Sequence, residues 1–152
     1  MARELLKFEL IGLEKIQKQH QQMLKRAQRP GPVMKTIAAR AWKDVITHFS
    51  EEEGPRGKWK PLAKSTRARK GSSGSDILKD TGRLRASISF KQEQDTAVVF
   101  TKTEYANIHE QAKVPRGKKI PQRRFMWLKS KTIEGLIKGF SSFMVKAKTG
   151  QL

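Results

Sequence analysis

The sequence predicts an α+β fold: N-terminal helices and a C-terminal helix packed on a small antiparallel sheet, with long basic loops. Three observations carry this. Apolar residues recur at helical spacing before residue 50 and again after residue 126. Between them, two short runs alternate apolar and polar residues around the turn-like "QEQD". The remaining connections are filled with Gly, Pro, Ser and basic residues.

The first helix is expected from Ala2 to about Ala27. Leu6, Leu10, Leu13, Gln17 and Leu24 approximate one face, and Phe8, Ile11 and Ile16 widen it. "RPGP", Arg29 to Pro32, stops that helix and starts another, expected from about Val33 to Ser50. In the second helix Val33, Ile37, Ala41, Val45 and Phe49 recur every fourth residue, flanked by Met34, Ala38, Trp42 and Ile46. Such a stripe is a core-facing surface, so Trp42 and Phe49 are read as packing residues.

Glu51 to Ser75 is a long irregular connection, with Trp59 and Leu62 expected to pin it to the body. Ser65 to Lys70 suits a short helical turn. Arg85 to Lys91 alternates Ala86, Ile88 and Phe90 with Ser87 and Ser89, and Thr96 to Lys102 supplies a second strand. The two pair as a hairpin. Tyr105 to Ala112 reads as a short helix or turn, followed by the basic loop "KVPRGKKIPQRRF" that ends at Phe125 and Trp127. The last helix is expected from about Met126 to Lys146, with Ile133, Leu136, Ile137, Phe140, Phe143 and Met144 on its apolar face, and the tail beyond it is expected to fray. The whole chain, 1–152, is read as one domain: a helical segment over residues 1–50, an extended basic loop over 51–75, a sheet and basic loop over 76–128, and a helix with tail over 129–152.

Composition narrows the function. With 33 Lys and Arg against 14 Asp and Glu, the formal charge is +19, which draws anionic partners from a distance. Lys113, Arg116, Lys118, Lys119, Arg123, Arg124, Lys129 and Lys131 form a stretch without an acid, and from Gly54 to Lys91 the only acids are Asp76 and Asp80. There is no cysteine, which removes disulfides, thiolate zinc sites and cysteine nucleophiles. No apolar run approaches the roughly 18 residues of a membrane span, so no membrane association is expected. The opening "MARELLKFELIGLEKIQ" mixes acids with bases, unlike a signal peptide.

No catalytic, metal or cofactor constellation is read. "KDTG" contains the Asp-Thr-Gly of aspartic proteases, but such enzymes need two carboxylates sharing a proton in an apolar site. Lys79, Arg83 and Arg85 around Asp80 favour the ionised form instead. A turn with Gly82 at positive φ fits better. His20, His48 and His109 show no metal-ligand spacing, and "GSSGS" lacks the lysine of a phosphate loop.

The candidate interaction residues are therefore the loop bases with their aromatic: Arg56, Lys58, Trp59, Lys60, Arg67, Arg69 and Lys70 in the first loop, and Arg116, Lys118, Lys119, Arg123 and Arg124 in the second. Two partner classes are open, acidic protein surfaces and the phosphates of nucleic acid bound without sequence preference. No helix-turn-helix, zinc finger or RNA-binding strand motif is present.

The order of landmarks resembles one family. Trp59, Leu62 and Thr66 form a basic Trp-x-x-Leu loop with a downstream Thr. Leu78, Thr81, Gly82, Leu84, Ser87 and Ile88 form Leu-x-x-Thr-Gly-x-Leu-x-x-Ser-Ile. Tyr105, Ala106 and His109 form Tyr-Ala-x-x-His, and Ile120, Pro121, Arg123 and Phe125 form Ile-Pro-x-Arg-x-Phe. This series, from about Phe49 to Leu128, resembles the phage virion morphogenesis (tail completion) family of Mu-like and P2-like phages. Gln111 and Ala112 stand where that family often has Gly, and Arg124 doubles the arginine of the last motif. The resemblance implies a non-catalytic structural protein of the virion neck or tail, assembled in the host cytoplasm. It completes the tail or joins it to the head as a homo-oligomeric ring, with a hexamer favoured, beside neighbouring neck and tail proteins and with transient contact to DNA.

Overall fold

The structure, a computed structural model, describes residues 12–70, 77–112 and 120–145. The expected first turns of the opening helix, the "GSSGS" stretch and the tail lie outside those residues.

Helix α1 spans Leu13–Ala27, and the chain enters it through Gly12 at φ 94°. None of its residues is buried. The amides of Gln28 and Arg29 close its last turn onto Leu24 and Arg26. Helix α2 begins almost at once, at Gly31, and runs to Glu51. Pro32 in its first turn lacks an N–H that would have no helical partner there. "RPGP" thus both stops and restarts the chain, and the second helix begins two residues earlier than expected.

Val33, Ala38, Ala41, Val45, His48 and Phe49 of α2 are buried. Glu52, at φ 51°, then turns the chain sharply. Strands β1, Glu53–Gly54, and β2, Gly57–Lys58, form a minimal antiparallel hairpin. Gly54 is required where it stands: a Cβ there would meet the Trp59 indole nitrogen at 3.1 Å and the Arg124 carbonyl at 3.3 Å. Helix α3, Lys64–Lys70, matches the expected turn and buries nothing.

Beyond Ile77 the chain turns through Gly82, at φ 71°, into helix α4, Arg83–Ser87. This corrects the expected strand start at Arg85. Leu84 and Ile88, both buried, lie one helical turn apart, and the apparent alternation Ala86, Ile88, Phe90 begins on an exposed Ala86. The Ala86 amide bonds Gly82 and the Ser87 hydroxyl bonds the Leu84 carbonyl at 2.7 Å, which commits this turn to helix. Strand β3 is Ile88–Glu93 and pairs with β4, Thr96–Thr101, from Ile88↔Thr101 to Glu93↔Thr96. The hairpin lies along α2. The Trp42 indole N–H donates to the Ile88 carbonyl at 2.9 Å, and its ring sits 5.7 Å from that of Phe90.

Helix α5 is Ala106–Gln111, and α6 is Ser130–Val145. The expected start of α6 at Met126 is four residues early. The amides of Phe125 and Met126 both bond a Glu110 carboxylate oxygen at 2.7 Å, and that of Lys129 bonds Asp44 at 2.9 Å. Tied to these carboxylates, residues 120–129 run as an irregular band, and α6 starts only at Ser130.

The core forms where these pieces meet. The Phe49 ring lies 5.8 Å from Trp59, edge-on, and 5.2 Å from Phe125. Ile77, Leu84, Ile88 and Ala106 close around them. Phe49 and Phe125 are fully buried. Phe125→Ala is expected to lower stability by about 3–5 kcal/mol, while Leu24→Ala, at an exposed position of α1, leaves it within about 0.5 kcal/mol. Urea unfolding of both variants checks the contrast.

Candidate functional site

The structure separates the candidate interaction residues into three groups. Arg56, Lys58 and Lys60, exposed around the β1–β2 hairpin, come together with the exposed Arg124 around a shallow depression of about 350 Å³. Arg67 and Arg69 are exposed on α3, and Lys70 reaches back to Asp80 at 3.2 Å. Arg116, Lys118 and Lys119 lie outside the described residues.

Trp59 and Arg123 are both buried, and the expectation that Trp59 pins its loop to the body holds. The Trp59 indole N–H donates to the Arg124 carbonyl at 3.0 Å, so this ring pins the loop and offers no stacking face. Arg123, only 6% exposed, donates Nε and Nη2 to the Lys60 carbonyl at 3.3 and 3.0 Å, and Nη2 also to that of Pro61 at 3.3 Å. It ties the two basic loops together. Burial pushes its pKa below the ordinary arginine value. Among the described residues no carboxylate pairs with it.

A cleft of about 670 Å³ lies beside Arg123. Leu62, Leu78, Leu84, Ile120 and Pro121 give it apolar walls. Lys60, Arg69, Lys70 and Arg83 stand along it, against Asp80 as its one acid among the described residues. Four sequence landmarks that are far apart along the chain converge here: Leu62 and Thr66, Leu78 with Thr81 and Gly82, Tyr105 with His109, and Ile120 with Pro121 and Arg123. His109 stacks edge-on against Tyr105, and its Nδ1 is buried without a partner. Burial, and then the charge of Arg123, hold its pKa below 6.5.

Asp80 is no protease carboxylate. Its side chain is 68% exposed and ion-paired to Lys70. The Thr81 hydroxyl accepts the Arg83 amide at 3.3 Å, so Asp-Thr-Gly is the turn that starts α4.

One cluster went unread in the sequence. His48, Glu51 and Glu53 bring ligand-type atoms within 4.8 Å of one another. The cation among them is the ammonium of Lys129, which contacts Glu51 and lies 2.7 Å from Glu53. Its hydrogen bonds raise the Lys129 pKa and lower that of Glu53. His48 is buried flat against Trp127, ring centroids 4.3 Å apart, with Nε2 3.1 Å from the Trp127 carbonyl. "HFSEEE" shows the acids in the sequence, but nothing there indicates that Lys129 returns to them.

Two expectations follow from these charges. Glu53, held below its ordinary 4.5, contributes stability that is present above pH 4.5 and is lost as pH falls through the lowered value. Lys129→Gln is therefore expected to flatten the acid limb of the stability profile, read by thermal unfolding at stepped pH. For His109, the imidazole NMR titration is expected to show a midpoint below 6.5, moving upward in Arg123→Gln as the opposing charge is removed.

No curated protein and no solved structure matches the chain. A family model does: the phage virion morphogenesis family, over residues 11–139. That span takes in every element from α1 into α6, together with the cleft and both basic loops. The chain belongs to the phage virion morphogenesis family.

Proposed function

We propose that the protein completes the tail, or joins it to the head, as a non-catalytic ring of identical subunits in the virion neck, with a hexamer favoured, after assembly in the host cytoplasm. The observation that carries this reading is a set of outward apolar side chains on a member of a virion morphogenesis family. Leu13, Ile16 and Leu24 on α1 and Ile133, Ile137 and Val145 on α6 are exposed. Leu13 and Leu24 fall on the same side of α1 by helical geometry. Apolar surface of this kind is what subunit contacts bury. The two helices are fastened to each other by Arg26, whose guanidinium donates to the Phe143 and Met144 carbonyls at 3.2 and 3.1 Å. They present a firm surface to a neighbour.

The exposed bases Arg56, Lys58, Lys60 and Arg124, with Arg67 and Arg69, suit the acidic surfaces of adjacent neck and tail proteins. The nucleic-acid reading keeps phosphate contact but loses its aromatic platform. Trp59 and Phe125 are buried, and Trp127 lies against His48. DNA is a transient neighbour on this reading, and binding should weaken steeply with salt.

Deleting the gene is expected to give heads and tails that remain unjoined or incomplete, with infectious titre lost; electron microscopy of lysates and plaque counts are the measurements. Normal infectious particles would refute the role. A salt titration of DNA binding by the purified protein is expected to show little affinity at physiological salt; tight binding there would favour the nucleic-acid reading.

A further inference from the structure

The 670 Å³ cleft combines two properties that the exposed basic loops lack. It is concave, and its apolar walls lie next to several cations that no acid pairs with among the described residues. Lys70 is paired with Asp80. Lys60, Arg69 and Arg83 make no ion pair among the described residues. At one wall sits the guanidinium of Arg123, fixed by the carbonyls of Lys60 and Pro61 and withdrawn from water with no counter-ion among the described residues. A buried charge without an opposite charge is costly, and a ligand that brings an anion close recovers some of that cost. His109 beside it is held toward its neutral form and adds no charge of its own at neutral pH.

We infer that this cleft seats an extended, carboxylate-bearing segment of a neighbouring virion protein. Its apolar side chains rest on Leu62, Leu78 and Leu84, and its carboxylates face Arg69, Arg83 and Lys60. This rests on the assembly role and gives that role a defined partner chemistry. The volume lies within the range of peptide and ligand pockets, about 300–1,000 Å³. A phosphodiester backbone would satisfy the cations but leave the leucine walls uncovered. Bases would require stacking faces, and the rings lining the cleft among the described residues are Tyr105 and His109, which meet each other edge-on. A second copy of this chain, at +19, is also a poor source of the anion.

The test uses the purified full chain and a short fluorescein-labelled peptide of alternating Asp and Leu, read by fluorescence anisotropy at physiological salt. Saturable binding is expected. It should fall about tenfold or more for the Asn-Leu analogue and for an Asp-Ser analogue without leucine. The double variant Arg69→Glu, Arg83→Glu should lose binding to the same degree while keeping its melting temperature. The double variant Lys35→Glu, Lys102→Glu carries the same charge change at exposed positions outside the cleft and should bind the peptide almost as the native protein does. Equal loss in both double variants would overturn the proposal, because net charge alone would then account for binding. Undiminished binding of the Asp-Ser peptide would overturn it too, as would displacement of the peptide by a lower concentration of oligothymidylate, which would assign the cleft to nucleic acid. These titrations are independent of the deletion phenotype, so the cleft can fail while the assembly role stands, and the reverse.

Discussion

The contact of Phe49 with Trp59 and Phe125 is the interaction on which the other elements depend. Each ring comes from a different segment: the end of a long helix, the irregular chain following a minimal hairpin, and the band before α6. Offset and edge-on ring pairs add to the area they bury. None of the three segments has enough apolar residues for a core of its own. Fixing Trp59 also fixes what its indole touches, since its N–H holds the Arg124 carbonyl and Gly54 allows the close approach. Both basic loops are therefore anchored by one buried side chain, and their exposed cations keep a set arrangement.

A second constraint is the scarcity of acids. Most acids with a described role are internal ties. Glu52 accepts the Ile77 amide, Asp44 that of Lys129, and Glu110 those of Phe125 and Met126. Glu51 and Glu53 hold the Lys129 ammonium. Carboxylates that accept backbone amides organise segments too irregular to satisfy themselves. The consequence is electrostatic. Acids engaged in these ties are too few to offset the many surface bases, so the large positive charge of the sequence is also the charge a partner meets. A virion morphogenesis protein that must find its place among many surfaces gains directed encounter from this arrangement.

Much of this was legible in the sequence. The stripe on α2, the hairpin, α3, the turn at Gly82 and the family landmarks follow from periodicity, turn chemistry and order. The elements that differed did so where a tertiary contact overrode a local pattern. Leu84 to Ile88 fits both a strand and a helical turn, and hydrogen bonds to Gly82 and Leu84 decide for helix. Met126 to Lys129 continues a helical pattern, but its amides are held by Glu110 and Asp44. Trp59 was expected to pin its loop and does, but what it and Arg123 bond was not legible, because the partner of a buried loop residue lies far away in the chain. The Lys129 cluster and the cleft were invisible for the same reason. Each is assembled from positions that only folding brings together.

The span of these ties has a kinetic side. Trp59 meets a carbonyl 65 positions later, His48 one 79 later, and Asp44 an amide 85 later. Helix formation along α2 is local and fast, whereas closing such long loops is slow. During synthesis the end of α2 that meets Phe125 therefore waits, uncovered on that side, until the band has left the ribosome, after the hairpin has already been made. In that interval a nascent chain offers the same greasy helix to every sibling being made nearby. The rate at which the last third of the chain appears therefore governs how much of it escapes aggregation.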